Sequence, residues 1–285
     1  MAKNGGAVFI TGAAGGIGSA AARRLAGLGR TVFAGVRKAA DARAFDGVSG
    51  VVPIVVDVLD EESITRAAAE VERRLGGAKL GAVVNNAGII VQGPVELVPP
   101  SELERQFRVN VYGPASVIRA FGPRIRKDAA RVVNVSAPTA RRAVPHLGPI
   151  SASKAALESL STALRVELAP WGCDVVIVEP TAASTAVFSK ADAAAADALG
   201  TLPAPVIRAY QGQLTAVAEA SAGQKLADPD DVAKVLVEAI TARRPKTVYY
   251  AGRGANVLPM LSRLPDRLGD RVIAGNFGLS ARVAR

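Results

Sequence analysis

Short apolar runs alternate along the chain with longer stretches in which apolar residues return every three or four positions. The runs fall at residues 7–11, 31–35, 52–56, 80–84, 131–135, 174–178 and 247–250. Their unbroken hydrophobicity predicts strands covered on both faces, as in a parallel sheet. The periodic stretches predict helices near 17–28, 61–75, 101–126, 151–169 and 229–242. Asp228-Pro229 marks the start of the last of these, with an Asp cap ahead of a proline in the first turn. Such alternation predicts an α/β fold, a doubly wound parallel sheet of seven strands, in one domain over residues 1–252.

Two regions interrupt the rhythm. Residues 182–227 are Ala-rich, with a Leu-Pro-Ala-Pro turn at 202–205, and are too long for a plain loop. They predict a helical excursion at the carboxyl ends of the strands, where open α/β sheets bind ligands, and hence a substrate lid. Residues 253–285 predict a tail of one or two short amphipathic helices packed on the same domain.

Composition changes this picture little. With 49% hydrophobic and 21% charged residues, the chain can bury a sizeable core. Its 35 Lys+Arg against 25 Asp+Glu give a formal +10, which favours anionic partners such as a phosphorylated cofactor. The basic residues come as scattered pairs (Arg23-Arg24, Arg73-Arg74, Arg141-Arg142, Arg243-Arg244), and aromatics are 4%, too few for stacking platforms, so no nucleic-acid partner is expected. Cys173 is the only cysteine, which rules out an intrachain disulfide and reads as a small buried hydrophobe. MAKNGG leads straight into an apolar strand without the pattern of a signal peptide, and no run approaches the ~18 apolar residues of a membrane span. The expectation is a soluble, cytoplasmic protein with no membrane partner.

The first strand is followed by Thr11-Gly12-Ala13-Ala14-Gly15-Gly16-Ile17-Gly18, which opens the first helix. Glycines there allow φ > 0 and remove the Cβ atoms that would block a pyrophosphate seated on the free N–H groups of the helix. Strand, glycines and helix in that order are what a dinucleotide site requires. About 20 residues on, where an NAD site offers a carboxylate to the adenosine ribose, the chain has Val36, Arg37 and Lys38. A carboxylate would repel a 2′-phosphate, whereas two cations can pair with it, so NADP(H) is the expected cofactor. No metal is expected.

The spacing T-G-x-x-x-G-x-G, Asp57 after the third strand, Asn85-Asn86-Ala87-Gly88 after the fourth, Asn110, and Ser153-Lys154 together resemble the short-chain dehydrogenase/reductases from about residue 5 to residue 250. The resemblance implies a Rossmann-type sheet and a homodimer or homotetramer packed through the helices around 101–126 and 151–169. It implies that Asp57 and Val58 flank the adenine, that Asn86, Ala87 and Gly88 line the cofactor, and that the segment from Pro180 through Thr181 to Thr185 lies along the nicotinamide. It gives Asn110 and Lys154 catalytic roles, Lys154 also holding the nicotinamide ribose.

Two positions depart from that pattern. The family's Tyr stands four residues before its Lys, one helical turn away, and that place is held by Ile150. The family's Ser lies thirteen residues earlier still, and that place is held by Ala137. Ser136 is adjacent but on an extended segment points the opposite way. The family's usual Gly after the Pro of the sixth strand is Thr181. Ile and Ala can neither donate a proton nor hold a developing alkoxide, and general acid catalysis alone is typically worth roughly 10² to 10⁴ in rate. His146, the only histidine, lies four residues before Ile150 in the loop leading to the helix. It is a candidate proton donor from a new direction, its plain alternative being a solvent-exposed loop imidazole. Ala137, Ile150 and His146 are therefore expected to face a small or medium hydrophobic substrate. The chemistry expected is NADPH-dependent reduction of an imine-like or enone-like group; the alternatives are a non-redox isomerase or cyclase, or a nucleotide-binding protein without turnover, on the same fold.

Overall fold

A computed structural model describes residues 5–279. The first four residues of the MAKNGG segment and the end of the expected tail, 280–285, lie outside the described residues. One sheet holds β1 (Ala7–Ile10), β2 (Val32–Val36), β3 (Val51–Val55), β4 (Leu80–Asn85), β5 (Arg131–Val135), β6 (Val175–Pro180) and β7 (Val248–Ala251). Every neighbouring pair is parallel, in the order β3-β2-β1-β4-β5-β6-β7. This is the predicted seven-stranded α/β sheet. Strand order reverses direction between β1 and β4, and the crevice above their carboxyl ends is where such sheets take ligands.

Alternation along each strand feeds two cores. Val8 and Ile10 pack on one face with Ala21, Ala22 and Leu25 of α1 (Gly16–Gly27) and Leu236 and Ile240 of α8 (Pro229–Thr241). Ala7 and Phe9 face the other way, onto Ile64 and Val71 of α2 (Glu61–Leu75) and Phe121 and Ile125 of α4 (Gly113–Asp128). The Phe9 and Phe121 rings stack with centroids 4.5 Å apart. α8 begins as predicted, the Asp228 carboxylate accepting from Asp230 N at 2.8 Å, and Asp230 in turn accepts from Arg24 Nε of α1 at 2.6 Å.

The structure corrects two helices. The single helix expected over 101–126 is α3 (Pro100–Phe107), a π-helical turn (Arg108–Tyr112) and α4. Pro114 is the physical reason, because it has no N–H to give the carbonyl of Asn110 and its ring crowds that carbonyl. The helix expected from 151 starts earlier, as α5 (Gly148–Leu168), since Pro149 suits a first turn. The excursion comprises α6 (Ala186–Gly200) and α7 (Ala204–Ala222), and the tail α9 (Val257–Leu261) and α10 (Asp266–Asn276). Among the described residues no helix is long and apolar enough to cross a membrane.

Arg131 opens β5 and is 1% exposed. It donates to the carbonyls of Ala239, Ile240 and Ala242, each at 2.8 Å, and to Asp174 Oδ2 at 3.0 Å. It thereby satisfies carbonyls that α8 leaves open at its end. Arg131→Met strands those acceptors and should lower stability by about 3 kcal/mol. A drop in the urea midpoint measures it, and Arg131→Lys should recover only part, lacking the planar fork.

Candidate active site

The glycine segment turns at Gly12, whose φ of +63° suits glycine and whose place a Cβ would deny by coming 2.8 Å from Ala87 Cα. At Gly18 a Cβ would lie 2.6 Å from Gly12 O and 2.7 Å from Asn86 Nδ2. These contacts close the turn against the end of β4. Ala14, Gly15 and Gly16 remain exposed, and Gly15, the N-cap of α1, makes no side-chain cap. The first turn of α1, with Ile17 half-buried behind it, therefore presents its N–H groups to the crevice.

Asn86 stitches the crevice together. Its Nδ2 donates to Thr11 O at 3.0 Å and Gly12 O at 3.1 Å, while the Asn86 and Ala87 amides donate to Thr11 Oγ1 at 3.1 and 3.0 Å. Further along, β2 ends at Val36, and Arg37 and Lys38 are exposed beside it. Neither side chain pairs with a carboxylate among the described residues. Asp57 is engaged in its own turn, Oδ1 accepting from Leu59 N at 2.9 Å and the amide donating to Ser63 Oγ at 3.0 Å. Val58 packs on Gly113 at the start of α4, where a Cβ would come within 3.0 Å of it.

At the other end of the crevice, Gly88, Asn110 and Lys154 converge. A Cβ on Gly88 would sit 3.3 Å from Asn110 Oδ1 and 3.6 Å from Lys154 Nζ. The π turn positions Asn110, which is fully buried, accepts from Ile89 N at 3.0 Å and donates to Ile89 O at 3.0 Å and Ser153 Oγ at 3.3 Å. Lys154 Nζ donates to Val135 O at 2.6 Å. Burial pushes its pKa down to about 8, against the opposing charge of Glu158. Ile150, buried, lies one turn before Lys154 on α5, and Ala137 lies two residues beyond the carbonyl that Lys154 holds. Ser136 points away, its Oγ donating to Glu158 Oε1 at 2.7 Å.

His146 is not a solvent-exposed loop residue. It is half-buried at φ +62°, its carbonyl accepts from Gly93 N at 2.8 Å, and its ring hydrogen-bonds Gln213 of α7. Nε2 is buried without a partner among the described residues, and burial pushes the imidazole pKa down. Two further contacts tie the excursion to the 90–96 loop, Gln92 Nε2 donating to Asp192 Oδ1 at 2.5 Å and Tyr210 hydrogen-bonding Glu96. Between that loop and α6 lies an apolar crevice lined by Ile90, Val91, Leu97, Ala194 and Ala198.

Pro180 ends β6. Thr181 turns its hydroxyl toward β7, donating to Ala251 O at 3.4 Å, and a Cβ on Gly252 (φ +97°) would come 2.1 Å from that oxygen. The side chain that replaces the expected glycine is thus housed where Gly252 leaves room. Thr185 crosses to the α1 turn, where a Cβ on Gly16 would come 2.6 Å from its Cγ2. Sequence reasoning missed the cluster of Arg141, Glu158 and Glu179 behind Ser136. Its one local signal was Glu179, a lone charge inside the apolar run of β6.

A family model described as short chain dehydrogenase matches residues 6–196. The chain is 29% identical over 274 residues to an NADPH-dependent 3-dehydrocapnine reductase of Ornithobacterium rhinotracheale, covering 92% of this chain and 94% of that protein. It is 31% identical over 251 residues to a 3-amino-tetrahydro-pyrrolizinone reductase of Xenorhabdus hominickii, covering 87% of each. Among solved structures, a short-chain dehydrogenase from Streptomyces avermitilis matches with TM-score 0.75 at 26% identity over 100% of both chains.

Proposed function

Because the chain belongs to the short-chain dehydrogenase family, we propose that it is an NADPH-dependent reductase with an atypical active site, acting on a hydrophobic substrate with an imine-like or enone-like acceptor. One observation carries this reading: Lys154, Asn110 and Gly88 converge, while the positions four and seventeen residues before Lys154 hold Ile150 and Ala137, which carry no proton donor.

The residues fit the cofactor. Gly12 and Gly18 leave no Cβ in the turn, α1 has no side-chain cap over its first N–H groups, which leaves them for a pyrophosphate, and Arg37 and Lys38 pair with no carboxylate among the described residues at the exit of β2. A 2′-phosphate there gains charge-assisted hydrogen bonds from the two cations. That one relative is named an NADPH-dependent reductase agrees with this. Lys154 holds the ribose through its ammonium, and Asn86, Ala87 and Gly88 line the pocket wall.

When bound, NADPH would supply a hydride; an iminium acceptor is neutralised by it with no oxyanion formed where Ile150 and Ala137 stand, whereas a conjugated carbonyl acceptor becomes an enolate that takes its proton from another group. Those two residues give no proton and no hydrogen bond, so a simple ketone forgoes the general-acid contribution of roughly 10² to 10⁴ in rate. They also exclude water from the acceptor. The excursion of α6 and α7 serves as the lid over the substrate. His146, whose Nε2 is buried without a partner among the described residues, is the donor for a conjugated product in this reading.

Two experiments test the reading. NADPH should bind more tightly than NADH, and Arg37→Ala should narrow the gap by about tenfold, since one charge-assisted contact is lost. Equal affinities in the parent protein contradict the cofactor assignment. The double change Ala137→Ser with Ile150→Tyr should raise ketone reduction by roughly 10² or more, and each single change should do much less. A double variant that binds NADPH but gains no ketone activity refutes the picture of a family-like pocket with two hydrocarbon replacements.

A further inference from the structure

Behind Ser136, groups from five elements meet around two carboxyls. Glu179 of β6 is 0% exposed. Arg141, just past the 3-10 turn Pro138–Ala140, donates Nε to Glu179 Oε1 at 2.9 Å and places its terminal nitrogen 3.3 Å from Glu158 Oε2 of α5. Ser136, just past the end of β5, holds Glu158 Oε1. Tyr250 of β7 faces Arg141, and Lys154 stands one turn before Glu158 on the same face of α5. Glu179 Oε2 is buried and receives no hydrogen bond from a donor among the described residues. Its neighbour is the Glu158 carboxyl. Carboxylates are acceptors only, so a single proton held between the two is what satisfies both oxygens.

We propose that Glu158 and Glu179 are positioning residues for Lys154: they share one proton, and its release supplies the negative charge that keeps Lys154 an ammonium, and so a ligand of the cofactor ribose, above neutral pH. This rests on the reading of Lys154 as a cofactor ligand. The overlap of the titrations supports it. Burial first, and then the Glu158 charge, pushes Glu179 up to about 7. Burial pushes Lys154 down to about 8, and Glu158 resists that fall. The second carboxyl charge therefore forms in the same pH range in which the buried Lys154 would otherwise lose its proton. Arg141 is charged throughout and keeps the doubly ionised pair tolerable.

Lysine labelled at Cε with ¹³C lets Lys154 be followed by NMR in the whole protein without cofactor. Glu158→Gln, which keeps the acceptor for Ser136, should lower the Lys154 midpoint by about one pH unit. In the same variant NADPH affinity should fall about fivefold at pH 8 and stay within about twofold at pH 6. Glu179→Gln fixes the pair at one charge and should lower the midpoint by less, so it also serves if the first variant does not fold. A Lys154 midpoint unmoved in both variants overturns the inference. So does a loss of NADPH affinity equal at both pH values, which is what a merely structural role gives. A midpoint that moves in a protein that binds no NADPH at any pH overturns the functional reading and the cofactor half of this inference, while upholding the effect of the pair on Lys154.

Discussion

Everything at the carboxyl edge of the sheet depends on a run of buried hydrogen bonds that crosses from β1 to α5. Thr11 and Asn86 join β1 to β4, Asn85 Nδ2 reaches Asn134 Oδ1 of β5 at 2.8 Å, Asn134 Nδ2 reaches Ser161 Oγ at 2.8 Å, and Ser161 Oγ ends on Leu157 O at 2.6 Å. Each of these polar groups would cost about 1–3 kcal/mol if left alone in the core, so a slip in register is penalised at several points together. The glycine turn rides on the first link and the Lys154 helix on the last. Their separation, which any dinucleotide must span, is therefore set by core chemistry and not by loops.

Contiguity decided what was legible in the chain. The strands appeared as apolar runs because both faces are covered, and their residues divide between two cores by simple alternation. The glycine turn, the Asn86 corner and the α8 cap are local, so their chemistry lies in neighbouring letters. The break at the π turn was also written locally, in Gly113-Pro114, but the helical periodicity on either side concealed it. Ala137 and Ile150 are reached only by counting from Lys154, since neither residue type carries site chemistry of its own.

What could not be read was assembled across the fold. Arg141, Glu158 and Glu179 come from a loop, a helix and a strand, and only the β5–β6 pairing with α5 packed over it brings them together. Glu179 alone gave a hint, because a carboxyl inside a strand buried on both sides must have a partner. The same holds for Thr181, whose departure from the expected glycine made sense only once Gly252 was seen opposite it. Compensation of this kind pairs two positions, 181 and 252, far apart in the chain, and single-position reasoning registers only half of it.

The excursion that carries α6 and α7 leaves and rejoins the body across one parallel bridge, Ala183 to Ala227, with Ser184 N donating to Ala227 O at 2.9 Å and Ala227 N to Ala182 O at 2.8 Å. Its two feet stand side by side, so what lies between them is a cassette. Because the entropy of closing a loop grows only slowly with its length, such a segment can be lengthened, shortened or exchanged without disturbing the rungs beneath it. The excursion is then free to diversify as one contiguous stretch of chain, while the glycine turn and the buried amide network stay untouched.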